Sequence, residues 1–303
     1  MGSGVLSPIA LVQRTERPQE MEAMPEVPIE QLSVFAGGLD HPEGLAFDRQ
    51  GYLWAGSESG HIYRIDHLGK AEIVAQVEGF CCGLAFSPTD ELFLCHARLG
   101  VVRVGRNGTH SVFADHTGGQ KILYANFAVF DRAGNLWVSD SGNWKKQNGH
   151  LLRFTPDGEG KVVAGPCGYA NGLALSADEK HLFMVESDRD RILRFEVQPN
   201  GSLGPSQVYA EDVGRLPDGL ALDAEGNLYV ACYASDEIHR ISASGEKLLL
   251  AHDRYGLVLG GPTNLAFGGK DFDEIFVANL SRYTITRFRA GRKGQPLANR
   301  GKS

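Results

Sequence analysis

No stretch of the 303-residue chain approaches the roughly 18 consecutive apolar residues of a membrane span. The start has no basic segment followed by an apolar run, so no secretory signal is expected. Leu6 stands where a myristoylation signal needs Ser or Thr. Basic runs are missing as well: 30 Lys and Arg face 37 Asp and Glu, a net charge of −7. That balance argues against nucleic acid and anionic membrane surfaces as partners. Cysteine is scarce. The five residues Cys81, Cys82, Cys95, Cys167 and Cys232 are odd in number and form no CxxC pair. Free, mostly buried thiols in a reducing compartment, the cytoplasm, are therefore expected. No window carries a convincing 3.6-residue apolar period, so helices are not expected either.

Glycine, by contrast, is in excess: 38 residues in 303, against an average of about 7%. It is spread along the chain, as in a protein of many turns. A short phrase recurs six times: PEGLAF (42–47), CCGLAF (81–86), ANFAVF (125–130), ANGLAL (170–175), PDGLAL (217–222) and PTNLAF (262–267). Each copy leads through an Asp/Gly/Asn-rich turn to an aromatic-aliphatic run such as YLWAG or NLYVA. A third run such as IYRID or ILRFEV follows, and in the first five units a fourth, such as EIVAQV. Runs of four to seven residues rich in β-branched and aromatic types, broken by turn residues, are strands. Four strands per unit, six times over, predict an all-β fold, a six-bladed β-propeller with four antiparallel strands per blade.

The last unit lacks its fourth strand, and QLSVFAGGL (31–39) supplies the pattern just before the first repeat. An N-terminal strand is therefore expected to close the sixth blade and remove two exposed edges. Residues 1–26 are expected to form an N-terminal tail or extension, and residues 27–303 the propeller. The third strand carries an arginine in every unit: Arg64, Arg103, Arg153, Arg194, Arg240 and Arg287. Chemistry rarely needs six symmetric copies, so these are read as structural.

The first strand of a propeller blade lines the central channel, so equivalent positions form a collar around the axis. The residue before each Gly-Leu-Ala core gives Glu43, Cys82, Asn126, Asn171, Asp218 and Thr263. Two carboxylates and two carboxamides converge in four of six places. Opposed carboxylates in a narrow channel repel or take up protons, whereas a bound cation stabilises both as anions. Oxygen-only ligation by Glu43, Asn126, Asn171 and Asp218 favours one hard divalent cation with waters completing its shell. Ca2+ is expected first, with Mg2+, Mn2+, Zn2+ or Fe2+ as alternatives. Protein ligands on one side leave a face open to substrate.

The phrases HPEGLAFD, ANGLALS and PDGLALD resemble the gluconolactonase/regucalcin (senescence marker protein) family, and more loosely the paraoxonases and squid-type diisopropylfluorophosphatase. The resemblance spans about residues 31–290. It implies a six-bladed propeller with a catalytic divalent metal, whose glutamate maps to Glu43, asparagine to Asn171 and aspartate to Asp218. In that family the aspartate is also the favoured general base or nucleophile, so Glu43 and Asp218 are the expected catalytic carboxylates. Asn126 maps to an asparagine that contacts substrate in sugar lactonases and metal in the phosphatase-like members. Sugar lactonases of the family carry Arg-x-Asn-Asp here, whereas this chain has Tyr124-Ala125-Asn126-Phe127.

Tyr124 and Phe127 are accordingly expected to wall a less polar substrate pocket. His96 and Arg98 are further candidates for substrate contact, with His41, Asp140 and Glu186 as supporting residues. Ser57, Ser141 and Ser187 lack a G-x-S-x-G context, which makes a serine hydrolase a weak reading. The sequence thus predicts a metal-dependent hydrolase, a lactonase or esterase acting on a small, relatively apolar lactone. The alternatives are a phosphotriester (organophosphate) hydrolase, or a non-catalytic propeller whose metal plugs the channel while its rim binds a ligand or protein. A strictosidine-synthase-like condensing enzyme shares the fold without the collar.

Overall fold

The computed structural model describes residues 24–300. Six four-stranded antiparallel sheets surround a central channel. Their innermost strands are Pro42–Phe47, Cys81–Phe86, Ala125–Phe130, Ala170–Leu175, Pro217–Leu222 and Pro262–Gly268, in blades one to six. In each of the first five blades the strand order from axis to rim is the chain order. In the sixth, Ser33–Gly37 pairs antiparallel with Thr284–Arg289, so the N-terminal strand completes the blade as expected. Just before it, Glu26 and Val27 donate backbone hydrogen bonds to Leu249 and Leu250 of blade five. Residues 1–23, most of the expected tail, lie outside the described residues. The described helical pieces are three-residue 3-10 turns, and no described helix is long and apolar enough to cross a membrane.

Core side chains pack between blades rather than in one central mass. Ala46, Trp54 and Ile62 of blade one, for example, pack on Leu84, Leu94 and Val102 of blade two. Flat sheets with two apolar faces make this arrangement, since each face buries itself against its neighbour. The turn after the inner strand is fixed by a buried aspartate at an equivalent position in blades one, three and five. Asp48 and Asp131 accept from Trp54 Nε1 (3.0 Å) and Trp137 Nε1 (3.3 Å), and Asp223 from Tyr229 Oη (3.1 Å). The third-strand arginines have structural partners: Arg64 pairs with Glu72, Arg103 with Glu91 and Arg240 with Glu26. Arg153 lies over the Trp137 ring.

Every inner strand breaks its pairing register at the same place. The shifts fall between Pro42 and Leu45, Cys81 and Leu84, Ala125 and Phe127, Ala170 and Leu173, Pro217 and Leu220, and Pro262 and Leu265. These irregularities take the collar positions off the ladder. Bulges of this kind re-aim side chains near functional sites. The glycine after the collar residue allows close approach of the next blade. A β-carbon at Gly44 would lie 2.1 Å from the Cys82 carbonyl oxygen, and one at Gly172 2.3 Å from that of Asp218.

Candidate functional site

The structure brings Glu43, Asn126, Asn171 and Asp218 together at the floor of one pocket of about 280 Å³. Glu43, Asn126 and Asn171 are buried, while Asp218 keeps some exposure to the pocket. Glu43 Oε2, Asn126 Oδ1, Asn171 Oδ1 and Asp218 Oδ1 are each buried without a hydrogen-bond partner. Buried acceptors are nearly always satisfied, and leaving one bare costs roughly 1–3 kcal/mol. Four bare oxygens from four blades at one level suit a cation that all of them would ligate. Among the described residues no three His, Cys, Asp or Glu cluster to hold a metal, and the collar's donors are two carboxylates and two carboxamides.

Electrostatics point the same way. Burial pushes the Glu43 carboxyl well above the usual carboxylate range, and the nearby Asp218 charge adds to it. Burial raises Asp218 to about 8, against a hydrogen bond with Asn171 that favours its anion. A divalent cation would reverse both shifts.

The collar side chains are oriented by their neighbours. Asn171 Nδ2 donates to Ser187 Oγ (3.2 Å), which leaves Asn171 Oδ1 for the axis. Ser187 Oγ in turn donates to Pro217 O (2.6 Å), next to Asp218, and Ser141 Oγ to Ala170 O (2.6 Å), next to Asn171. These serines pin the following blade's collar residue rather than act as nucleophiles. Thr263 Oγ1 donates to Glu43 O (3.0 Å) and Cys82 contacts Tyr124 Oη, so neither offers the collar a bare oxygen.

The residue ending the second strand has a shared role in blades two, three, four and six. Asp140 accepts from the Leu123, Tyr124 and Gly142 amides at 2.8–3.1 Å, and Glu186 from Gly168 N at 2.7 Å. Asn279 Oδ1 accepts from Gly260 N (3.1 Å). All three hold the segment that enters their own blade's inner strand. His96 occupies the same place in blade two, and this corrects its expected role. Its Nε2 meets Glu78 O (3.1 Å), and its Nδ1 accepts from the Arg98 and Leu99 amides. Both nitrogens are used on backbone, and the buried imidazole does not line the pocket. Arg98 is exposed on the following turn and does not line it either. His41 sits at the rim, 3.0 Å from Glu58 and stacked on Tyr283, and is not a pocket wall.

Phe127 is the second correction. It stands at the glycine position of the repeat, and its ring packs with Trp137, Leu151 and Leu173 between blades three and four. Its open side faces the lower channel, not the candidate pocket. Phe127-Ala128 replaces the Gly-Leu of blades one, two, four and five, so the bulky side chain arrives one residue earlier.

Tyr124 does line the pocket, together with residues the sequence reading missed: Phe80, Tyr169, Leu216, Trp144, Tyr233 and Leu280. The first three stand two residues before their blade's collar residue, as Tyr124 does, so the repeat itself carried the signal. Tyr169 has its ring centroid 6.2 Å from Tyr124 and 5.0 Å from Trp144, edge-on to the latter. The Trp144 loop is tied to blade four by Gln147 Nε2 donating to Asp188 Oδ2 (2.6 Å). The result is an aromatic wall over blades two to four above an oxygen floor.

Among proteins of known sequence, the chain is 27% identical over 259 residues to 6-deoxy-6-sulfogluconolactonase of Pseudomonas putida, covering 81% of this chain and 82% of the relative. The solved gluconolactonase of Xanthomonas campestris superposes with a TM-score of 0.75 at 18% identity, covering 85% of this chain and 89% of that one. The calcium-binding protein regucalcin of Agrobacterium tumefaciens gives a TM-score of 0.68 at 18% identity, covering 86% and 95%. Those two likenesses concern the fold. The model of the SMP-30/gluconolactonase/LRE-like region matches residues 41–281, from blade one's inner strand into the last loop of blade six. With that match spanning the collar and reaching into the sixth blade, the chain belongs to the SMP-30/gluconolactonase family.

Proposed function

We propose that this protein is a lactonase in which Glu43, Asn126, Asn171 and Asp218 hold one divalent cation, Ca2+ first among the candidates, and that it favours small apolar lactones over sugar lactones. The observation that carries the reading is the set of four unpartnered buried oxygens flooring an aromatic pocket. Relatives named as lactonases support the reaction class, and the calcium-binding regucalcin supports the cation.

When bound, such a cation polarises the substrate carbonyl and offsets the negative charge that develops as water adds. The chain's own groups do the rest. Asp218, partly open to the pocket, takes the proton of the attacking water and returns it to the ring oxygen as the acyl–oxygen bond breaks, giving the hydroxy acid. Asn171 and Ser187 keep Asp218's neighbours in place. Phe80, Tyr124, Trp144 and Tyr169 offer stacking and apolar contact, each aromatic contact contributing about 0.5–1.5 kcal/mol beyond its area. A polyhydroxylated lactone would leave hydroxyls against those faces, with unmade hydrogen bonds costing about 1–3 kcal/mol each.

The test is a pH-indicator assay of dihydrocoumarin and gluconolactone, with and without a chelator. Wild type is expected to hydrolyse the aromatic lactone with kcat/KM at least about tenfold higher, and to lose both activities on chelation. Activity unaffected by chelation would remove the cation from the reading. Turnover of neither lactone would leave a cation-holding propeller that binds without catalysis.

A further inference from the structure

Below the collar the channel becomes a second, separate compartment of about 130 Å³. Its walls are Leu45, Leu84, Phe127, Leu173, Leu220 and Leu265, with the phenylalanines and leucines that end the inner strands beneath them. The C-terminal segment straps its outlet. Gln295 donates from its backbone to Leu222 O and from Nε2 to Leu175 O, each at 2.9 Å. Asn299 Nδ2 donates to Phe47 O (2.9 Å), and Arg49 Nε donates to Asn299 O (3.0 Å). The strap is thus fastened to the inner-strand ends of blades four, five and one, and Pro296, Leu297 and Ala298 between the ties line the chamber.

One polar side chain in this lining is out of character. Asn264, in the glycine position of blade six, is only 1% exposed, and its Nδ2 has no hydrogen-bond partner. The other polar groups at the chamber's edge are engaged: Ser176 Oγ donates to Asp178, and Glu179 accepts from Arg132 N. An ordered water needs two to four polar partners, and apolar cavities of about 150 Å³ stay dry and take up benzene-sized molecules. A mostly apolar chamber of about that size with one unpartnered donor has the chemistry of a ligand site.

We propose that this lower chamber binds a small apolar molecule of about one six-membered ring bearing a single oxygen acceptor, which takes the Asn264 hydrogen bond, and that the Gln295–Asn299 strap is its lid. The inference is independent of the reading of the upper pocket. Both chambers contain leucines, which makes them separable by methyl NMR on the full chain. Cyclohexanone is the probe, with methylcyclohexane as its counterpart lacking the oxygen.

Titration with cyclohexanone is expected to shift the Leu173, Leu220 and Leu265 methyls saturably while leaving Leu216 and Leu280 of the upper pocket unmoved. Methylcyclohexane should bind at least tenfold more weakly. Asn264→Leu should bring the two probes within about twofold of each other, and Asn264→Gln, which keeps a donor, should retain a preference for the ketone. Shifts confined to Leu216 and Leu280, or no saturable shift at all, would overturn the site. Equal binding of the two probes by wild type would overturn the role of Asn264.

Discussion

At the upper end of the channel four buried oxygens stand without partners, whereas at the lower end the same six strands present leucine and phenylalanine to a mostly apolar chamber. The two ends are built by the same repeat, a few residues apart. What separates them is the bulge, which takes Glu43, Asn126, Asn171 and Asp218 off the ladder at one level and returns the strand to apolar packing immediately below. A burial cost is therefore concentrated in one layer, while among the described residues lining the next only Asn264 Nδ2 is left bare. Such local departures from the packing rules are expected where chemistry needs them, and the proposed cation site rests on the upper one.

The sharpest way to break the comparison is to alter one end and read both. Glu43→Gln and Asp218→Asn keep size and shape while each removes a negative charge from the collar. Lactone hydrolysis is expected to fall by at least about a thousandfold, some 4 kcal/mol of transition-state stabilisation. Elemental analysis of protein purified without chelator should show about one divalent ion per wild-type chain and much less in either variant. Equal metal content across the three proteins would remove the collar as a cation site.

The lower end should respond in stability instead. Phe127→Ala removes a buried ring from the packing of blades three and four. Its expected cost is about 3 kcal/mol, at the low end for such truncations because one side already faces a cavity. For a domain of about 280 residues that lowers Tm by roughly 5 °C. Specific activity of the folded protein at 25 °C should stay within about twofold. A large loss of activity without a loss of stability would return Phe127 to the substrate pocket.

The outcome for Phe127 shows what was legible in the sequence and what was not. Six copies of one phrase, with strand-like runs after each, were enough for the propeller, its closure by Ser33–Gly37 and the collar, because register alone sets which residues share a level. Register also carried most of the aromatic wall: Phe80, Tyr169 and Leu216 hold the same column as Tyr124. Trp144, Tyr233 and Leu280 were not legible, since they sit on loops whose paths depend on distant ties such as Gln147 to Asp188. His96 misled for a related reason. A histidine near a channel mouth reads as chemistry, and only the shared clamping role of Asp140, Glu186 and Asn279 reveals it as a backbone fastener. The polar C-terminus, rightly no strand, gave no sign that it straps the lower outlet.

A smaller effect should appear in the pH dependence of stability. Without cation, burial holds Glu43 and Asp218 protonated in the folded protein, Asp218 up to about 8, whereas in the unfolded chain both ionise near 4. Between those values the folded state binds more protons than the unfolded one, so stability falls as pH rises from about 4 toward 8. In chelator, Tm should drop by several degrees across that range. Added Ca2+ should stabilise more at pH 8 than at pH 5, because the collar must lose its protons to ligate. The Glu43→Gln/Asp218→Asn double variant should lack both trends. If its apo profile superimposes on that of wild type, the collar carboxylates are not the source of the pH dependence.

Substrate preference should move least, and it tests the upper wall alone. Tyr124 presents its ring beside Tyr169, and burial raises its hydroxyl far above the usual range, so it remains a neutral, aromatic surface at working pH. Tyr124→Arg removes that face and adds a charged fork able to bond two substrate hydroxyls. Gluconolactone should gain and dihydrocoumarin should lose, moving their kcat/KM ratio by about tenfold, or 1.4 kcal/mol. Tyr124→Phe keeps the ring and should leave the ratio within about twofold, which separates stacking from the hydroxyl. Phe127→Asp, on the far side of the strand, should lower stability without moving the ratio. If Tyr124→Arg leaves the ratio unchanged while the protein stays folded and metal-loaded, the wall at blade three does not touch the substrate, and selection rests with Trp144 and Tyr169 instead.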